Sequence, residues 1–193
     1  MIQTAPEHLS EIAKALKEGQ VVALPTETVY GLAISLNSAK ALEKLIFLKR
    51  RDLKSGKVFT LVPESRADIE KYALLNKTSR AIIAKHIPGE LTLILPKNPE
   101  FDHPYFNHFT TVGIRIPASP LFEKLLKDTG PLLLTSANPR GDQPAISSDE
   151  VARTLPKVDL IVEGRTREGK LPSTVVDLTK KSPLVVRQGD LKL

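Results

Sequence analysis

The sequence predicts one α/β domain. Strand-like and helix-like segments alternate along most of the chain, and its 193 residues suffice for one core but not comfortably for two. Fifteen prolines, many beside the strand-like runs, cut the chain into short elements. No internal repeat, low-complexity tract or linker divides it, so the domain is expected to span residues 1–193.

Residues 6–18 (PEHLSEIAKALKE) set Leu9, Ile12, Ala13 and Leu16 on one helical face, and Gly19 supplies the stop. A strand is expected over 20–24. Pro25 breaks it, and Val29-Tyr30-Gly31-Leu32 reads as more strand. Residues 38–50 begin at Ser38, a good N-cap, and carry Leu42, Leu45, Ile46 and Lys49 along one stripe. Val58 to Val62 is the next strand, ended by Pro63. Helical spacing marks 65–72 and 77–86, before Pro88-Gly89 interrupts. Further strands are expected at 90–95, 111–116, 131–135, 158–162, 174–178 and 184–187, with helices at 119–128 and 148–155. The segment 96–110 (PKNPEFDHPYFNHFT) is the longest irregular stretch. Its length fits a lid over a site or a mobile surface loop without a role.

Hydrophobic content of 41% and charged content of 26% are those of an ordinary globular chain. No window of eighteen apolar residues offers a membrane helix, and Glu7 and Glu11 are wrong for a secretory leader, so a cytoplasmic protein is expected. The absence of cysteine removes disulfides, thiolate nucleophiles and iron–sulfur sites. His8, His86, His103 and His108 show no ligand spacing, so no protein-held metal is expected. Mg²⁺ carried in on phosphates needs few protein ligands and stays open. A net charge of +6 favours nucleic acid or nucleotide phosphates, provided the cations gather in one place.

Ligands of open α/β sheets sit at strand ends, so polar clusters just after strands carry most weight. Thr26-Glu27-Thr28 is the first, and no helix follows that it would cap. The second is LKRRDLKSGK at 48–57. A helix C-terminus uses one or two cations, whereas Lys49, Arg50, Arg51, Lys54 and Lys57 put five in nine residues, a density that suits phosphate. Thr111 and Arg115 are the third; at i and i+4 of a strand they face one side. Arg115 in a run of Val and Ile needs an anionic partner, internal or a ligand. Fourth is LLLTSANPRGDQPA at 132–145, where Ser136 and Asn138 set a hydroxyl and an amide beside a strand end. Ser173-Thr174 and Arg187 make the fifth.

Familiar constellations are missing. Ser55-Gly56-Lys57 lacks the upstream glycine of a P-loop, no GxGxxG occurs, and Ser136 stands in no nucleophile elbow. What remains is a site of cations and hydroxyls that works by holding charged reactants and neutralising developing charge.

Seven strings, in order, resemble the YrdC-like family of threonylcarbamoyl-AMP synthases, in its short TsaC form. They are PTETVYGL (25–32), LKRR (48–51), PGELTLILP (88–96), VGIRIP (112–117), TSAN with Gly141 and Pro144, STVVDL (173–178) and VVRQGDL (185–191). The resemblance implies a twisted mixed sheet with flanking helices around a deep basic cavity. It implies an enzyme that joins L-threonine, bicarbonate or CO₂, and ATP into threonylcarbamoyl-AMP and pyrophosphate, with Mg²⁺ on the phosphates. A transferase complex would then modify adenosine 37 of tRNA. By the same matching, Lys49 and Arg51 are the catalytic pair. ATP is expected on Lys49, Arg51, Thr111, Ser136, Asn138 and Arg187, and threonine on Thr26, Arg115 and Ser173. Two stretches depart from the family pattern: Asp52 and Val58 replace prolines around a 52–58 loop one residue longer, and Pro139-Arg140 removes a hydroxyl before Gly141. Glu27 is the nearest candidate for a general base, or else a structural residue. Two other readings stay open, an RNA-binding module using the same basic concavity and a catalytically inert relative.

Overall fold

Ser38 shows how local chemistry sets the elements: its hydroxyl accepts from the Ala41 backbone at 3.2 Å and starts a helix there. This computed structural model describes residues 2–50 and 58–193. In chain order the elements are β1 (Ile2–Thr4), α1 (Leu9–Lys17), β2 (Val22–Leu24), β3 (Gly31–Ser35), α2 (Ala39–Leu48), β4 (Thr60–Val62), α3 (Ile69–Tyr72), α4 (Lys77–His86), β5 (Leu91–Pro96), β6 (Thr111–Ile114), α5 (Pro120–Thr129), β7 (Leu132–Ser136), α6 (Ser148–Thr154), β8 (Leu160–Val162), β9 (Thr174–Asp177) and β10 (Leu184–Arg187). Helix α4 opens on a reciprocal pair, with Asn76 Oδ1 accepting from Ser79 N at 2.9 Å while Ser79 Oγ accepts from Asn76 N at 2.8 Å. Helix α5 opens on Pro120, which has no N–H to leave unsatisfied, and ends at Gly130 with φ 71°.

All ten strands join one mixed sheet in the order β1-β8-β2-β3-β7-β4-β6-β5-β9-β10. Pairs β1/β8, β2/β8, β4/β6 and β5/β9 are parallel, and the other five are antiparallel. Side chains alternate between the two faces. Leu61, Leu91, Leu93, Leu95, Val112, Ile114 and Val176 pack on one face with Ala41 and Leu45 of α2 and Ile83 of α4. On the opposite face α1 and α5 pack through Ile12, Leu16, Phe122 and Leu125 against Val22, Ala33, Val62, Leu132 and Leu160. That cover ends near β7 and β4. The same face of β6, β5 and β9 stays open, and the cavity forms there.

Segment 96–110 belongs to the first core and lines no part of that cavity. Phe106 is fully buried, Tyr105 stacks on Phe59 with centroids 5.6 Å apart, and the Tyr105 hydroxyl accepts from Phe59 N at 2.8 Å. Burying each such ring contributes about 2–3 kcal/mol, which holds an irregular backbone in place without regular hydrogen bonding. Strand β1 has no counterpart in the sequence reading. The expected 65–72 helix shrinks to one turn, and the strand expected from Val29 begins at Gly31. No helix among the described residues is long and apolar enough to cross a membrane.

Candidate functional site

The cavity encloses about 570 Å³. Its floor is a single row across four strands: Leu134 pairs with Thr60, Thr60 with Gly113, and Gly113 with Ile94. Two positions along in one direction lie Ser136 and Thr111, and two in the other lie Arg115 and Thr92. From Thr111 to Arg115 is four strand residues, about 13 Å. A Cβ built on Gly113 meets nothing nearer than 3.9 Å, so its absence deepens the floor rather than avoiding a clash.

One end is cationic. Arg115 is buried and donates from Nη2 to Thr28 Oγ1 at 2.9 Å and from Nε to the Gly89 carbonyl at 3.3 Å. Its anionic partner is internal: Glu27 Oε1 lies 3.1 Å from Nη2 and also accepts from Ala118 N at 3.0 Å. The other oxygen, Glu27 Oε2, is buried without a hydrogen bond among the described residues. Thr26 braces this loop by donating to the Val29 carbonyl at 2.7 Å and accepting from Thr28 N at 3.1 Å. Thr26-Glu27-Thr28 is thus a side-chain turn folded over the open face to reach Arg115.

Arg187 stands beside it. Strand β10 carries a bulge between Val185 and Arg187, so Arg187 pairs with Val175, and Val175 pairs with Thr92. The extra residue turns the Arg187 side chain onto the cavity face. Its guanidinium donates from Nε and Nη2 to the Ser173 carbonyl at 3.0 and 2.8 Å and from Nη2 to Ser173 Oγ at 3.1 Å. Arg187 is an exposed residue overall, but partial desolvation of its guanidinium against the cavity wall, with the like charge of Arg115 second, lowers its pKa from the usual arginine range. Among the described residues no carboxylate pairs with Arg187. Ser173 Oγ also shares a hydrogen bond with Thr92 Oγ1 at 2.7 Å.

The C-terminal segment is clamped to hold this geometry. Thr174 Oγ1 accepts from Gly189 N at 3.0 Å and donates to the Leu191 carbonyl at 2.7 Å. A Cβ on Gly189 would stand 2.3 Å from the Pro172 carbonyl, so only glycine allows that approach. Lys170 bridges Glu90 at 2.6 Å and Asp190 at 3.3 Å. The Glu90 hydrogen bond above all raises its pKa.

The other end carries hydroxyls. Thr111, Thr135 and Ser136 line it. Behind Ser136, Lys49 is buried and donates to the Ser136 carbonyl at 2.7 Å, the Asn138 carbonyl at 2.5 Å and Asn138 Oδ1 at 2.8 Å. Ser136 Oγ donates to the same Oδ1 at 2.7 Å. Lys49 and Asn138 do not line the cavity; they tie the end of α2 to the loop after β7.

The structure therefore gathers Thr26, Thr111, Arg115, Ser136, Ser173 and Arg187 around one cavity and places Lys49 and Asn138 just behind it. Arg187 falls with Arg115 and Ser173, the residues matched to threonine, and not beside Thr111 and Ser136. Arg51, Lys54 and Lys57 lie outside the described residues. Thr92 is an addition, for which a lone threonine inside ELTLIL was the available signal, and Thr28 of the first cluster serves by accepting from Arg115. Among the described residues no three His, Asp or Glu side chains are grouped to hold a metal ion.

Comparison with known proteins fits this geometry into a family. The Sua5/YciO/YrdC family model, described as "Telomere recombination", matches residues 14–189. The chain belongs to the Sua5/YciO/YrdC family. A Methanocaldococcus jannaschii protein with the provisional name threonylcarbamoyl-AMP synthase is 32% identical over 183 residues, covering 94% of this chain and 85% of its own length. YciO of Escherichia coli, named as uncharacterised, is 30% identical over 185 residues and covers 94% of this chain. The crystal structure of that family member has a TM-score of 0.85 over 98% of this chain and 94% of its own. Sua5 from P. abyssi, solved with L-threonine, is 30% identical with a TM-score of 0.85. The present chain spans 57% of that longer protein.

Proposed function

We propose that the cavity condenses L-threonine, CO₂ from bicarbonate and ATP into threonylcarbamoyl-AMP and pyrophosphate, for a transferase that modifies adenosine 37 of tRNA. The observation that carries this reading is a two-ended cavity, with Arg115 and Arg187 at one end and the Thr111 and Ser136 hydroxyls at the other. Its volume lies within the range of small-molecule sites. The family relatives, one solved with L-threonine, support the same substrate.

Arg187, which no carboxylate pairs with among the described residues, offers its guanidinium to the threonine carboxylate, with Arg115 beside it and Ser173 Oγ completing the end. The threonine amine, deprotonated, attacks CO₂; an N–C bond forms and one proton is released. A carbamate oxygen then attacks the α-phosphorus. The new O–P bond forms as the bond to the bridging oxygen breaks, and that electron pair departs with pyrophosphate. Carbamate and triphosphate repel each other in water, so the site's task is to hold both in line while neutralising charge. Thr111 and Ser136 hold the nucleotide end, and Lys49 fixes Ser136 from behind. Mg²⁺ that accompanies ATP supplies further neutralisation on the phosphates. Glu27 is engaged with Arg115 and Ala118, which favours a structural over a general-base role.

The RNA-binding alternative has less support. Of six Phe and three Tyr, only Phe47 is exposed, so the surface lacks the aromatic faces on which unpaired bases stack. Pyrophosphate release with threonine, bicarbonate and ATP omitted in turn tests the synthase reading. Each omission is expected to abolish release, and release that ignores threonine would overturn it.

A further inference from the structure

Exposed apolar side chains are unevenly spread over the surface. Among the described residues the exposed large hydrophobics are Ile2, Phe47, Leu74, Leu171, Leu184, Val185, Val186 and Leu193. Five of these eight lie between positions 171 and 193. Three are consecutive in β10, with Leu184, Val185 and Val186 exposed to 53, 45 and 58%. That strand ends the sheet, and among the described residues nothing pairs with its outer side. Monomeric proteins usually guard such an edge with charge or proline within the strand. Here Pro183 stands just before the strand and Arg187, turned onto the cavity, ends it, while Leu184, Val185 and Val186 between them carry no charge; Lys180, Lys181 and Lys192 lie outside the strand on either side.

We propose that β10 is a docking edge for an extended segment of a partner protein, added as a further strand, with apolar side chains at its centre and acidic ones at its ends. The unpaired N–H and C=O groups supply main-chain hydrogen bonds, and Leu184, Val185 and Val186 supply the apolar contact. Charge decides against a second copy of this chain. Antiparallel self-pairing brings the cations of one flank against those of the other, and the two nearby carboxylates are already engaged, Asp190 by Lys170 at 3.3 Å and Asp177 by the Thr179 backbone and hydroxyl at 2.8 and 2.6 Å. Val186 and Arg187 also line the cavity, so the added strand extends the cavity's rim beyond its present wall.

The test uses the full chain, labelled with ¹⁵N, and a capped peptide of sequence Glu-Glu-Thr-Val-Thr-Val-Thr-Glu-Glu. Saturable shifts centred on 184–187 are expected, with slowed amide exchange there. The same core flanked by lysine should bind at least about tenfold more weakly. Val185→Lys and Leu184→Lys should both lose binding with an unchanged melting temperature. The proposal is overturned by shifts centred elsewhere, by equal binding of the two peptides, or by binding that survives both substitutions. Absence of shifts at millimolar peptide overturns it too, as does a dimer in light scattering that Val185→Lys dissolves.

Discussion

The Arg187 guanidinium grips Ser173 three times, twice at the backbone carbonyl and once at the hydroxyl, within 3.1 Å. One strand edge thereby fixes a cation over the open face of the sheet and leaves it without a carboxylate among the described residues. Lysine at this position keeps the charge and loses the planar fork. Arg187→Lys should lower kcat/KM for threonine by roughly 10- to 100-fold, the worth of a charge-assisted hydrogen bond. Thermal unfolding followed alongside should stay within a few degrees, and a parallel collapse of both would assign Arg187 a structural role.

Glu27 and Arg115 form a largely buried ion pair, with side chains 17 and 8% exposed. Removing one partner strands the other charge, which costs about 3 kcal/mol or more. For a chain of this size Glu27→Gln should lower the melting temperature by roughly 10 °C. Saturating L-threonine, which brings a carboxylate to the same end, should restore more of the variant's stability than it adds to the parent. Calorimetric scans with and without threonine check both statements.

Gly113 and Gly189 should behave oppositely. A Cβ at Gly113 enters open cavity, so Gly113→Ala should fold at least as well as the parent, gaining about 0.5–1 kcal/mol from the strand backbone, yet bind substrate worse. At Gly189 the Cβ meets the Pro172 carbonyl at 2.3 Å and Thr174 N at 2.7 Å, so Gly189→Ala must displace backbone and loosen Arg187 from Ser173. Unfolding curves and threonine affinity for the two variants should diverge in that pattern.

Burial above all raises the Tyr30 pKa, and the Tyr30 hydroxyl donates to the Val162 carbonyl at 2.9 Å. A phenol whose folded pKa is raised contributes stability that is complete below the unfolded pKa, about 10, and is lost as pH rises beyond it. Stability should therefore fall steeply above pH 10, with Tyr72 adding to the slope for the same reason. Tyr30→Phe should be less stable at neutral pH and show a shallower alkaline decline, read by denaturant unfolding at pH 8 to 11.

Sequence periodicity located the elements that carry their own signals. Helix α4 has a capping pair at its start and a proline break after it, and its boundaries match expectation. Strand β1 was invisible because Ile2-Gln3-Thr4 has no periodicity; it is a strand only because β8 lies alongside. The strand expected at Val29 starts two residues later, since Thr26 and Thr28 spend their side chains turning the backbone. Polar clusters at strand ends pointed to Thr26, Arg115, Ser136, Ser173 and Arg187, because a polar residue beside an apolar run is legible in one dimension. Their grouping is not. Which anion answers Arg115, and that a bulge turns Arg187 toward Ser173, depend on sheet register, and register is set by contacts between strands distant in sequence.

The central claim is that two guanidiniums, Arg115 and Arg187, hold the carboxylate of an amino acid. Isothermal titration of the protein with L-threonine and with L-threoninamide, which lacks that carboxylate, tests it most directly. Threonine should bind and the amide should bind at least about 100-fold more weakly, the loss expected when a fork-to-carboxylate contact is removed. Equal affinity for the two would contradict the account.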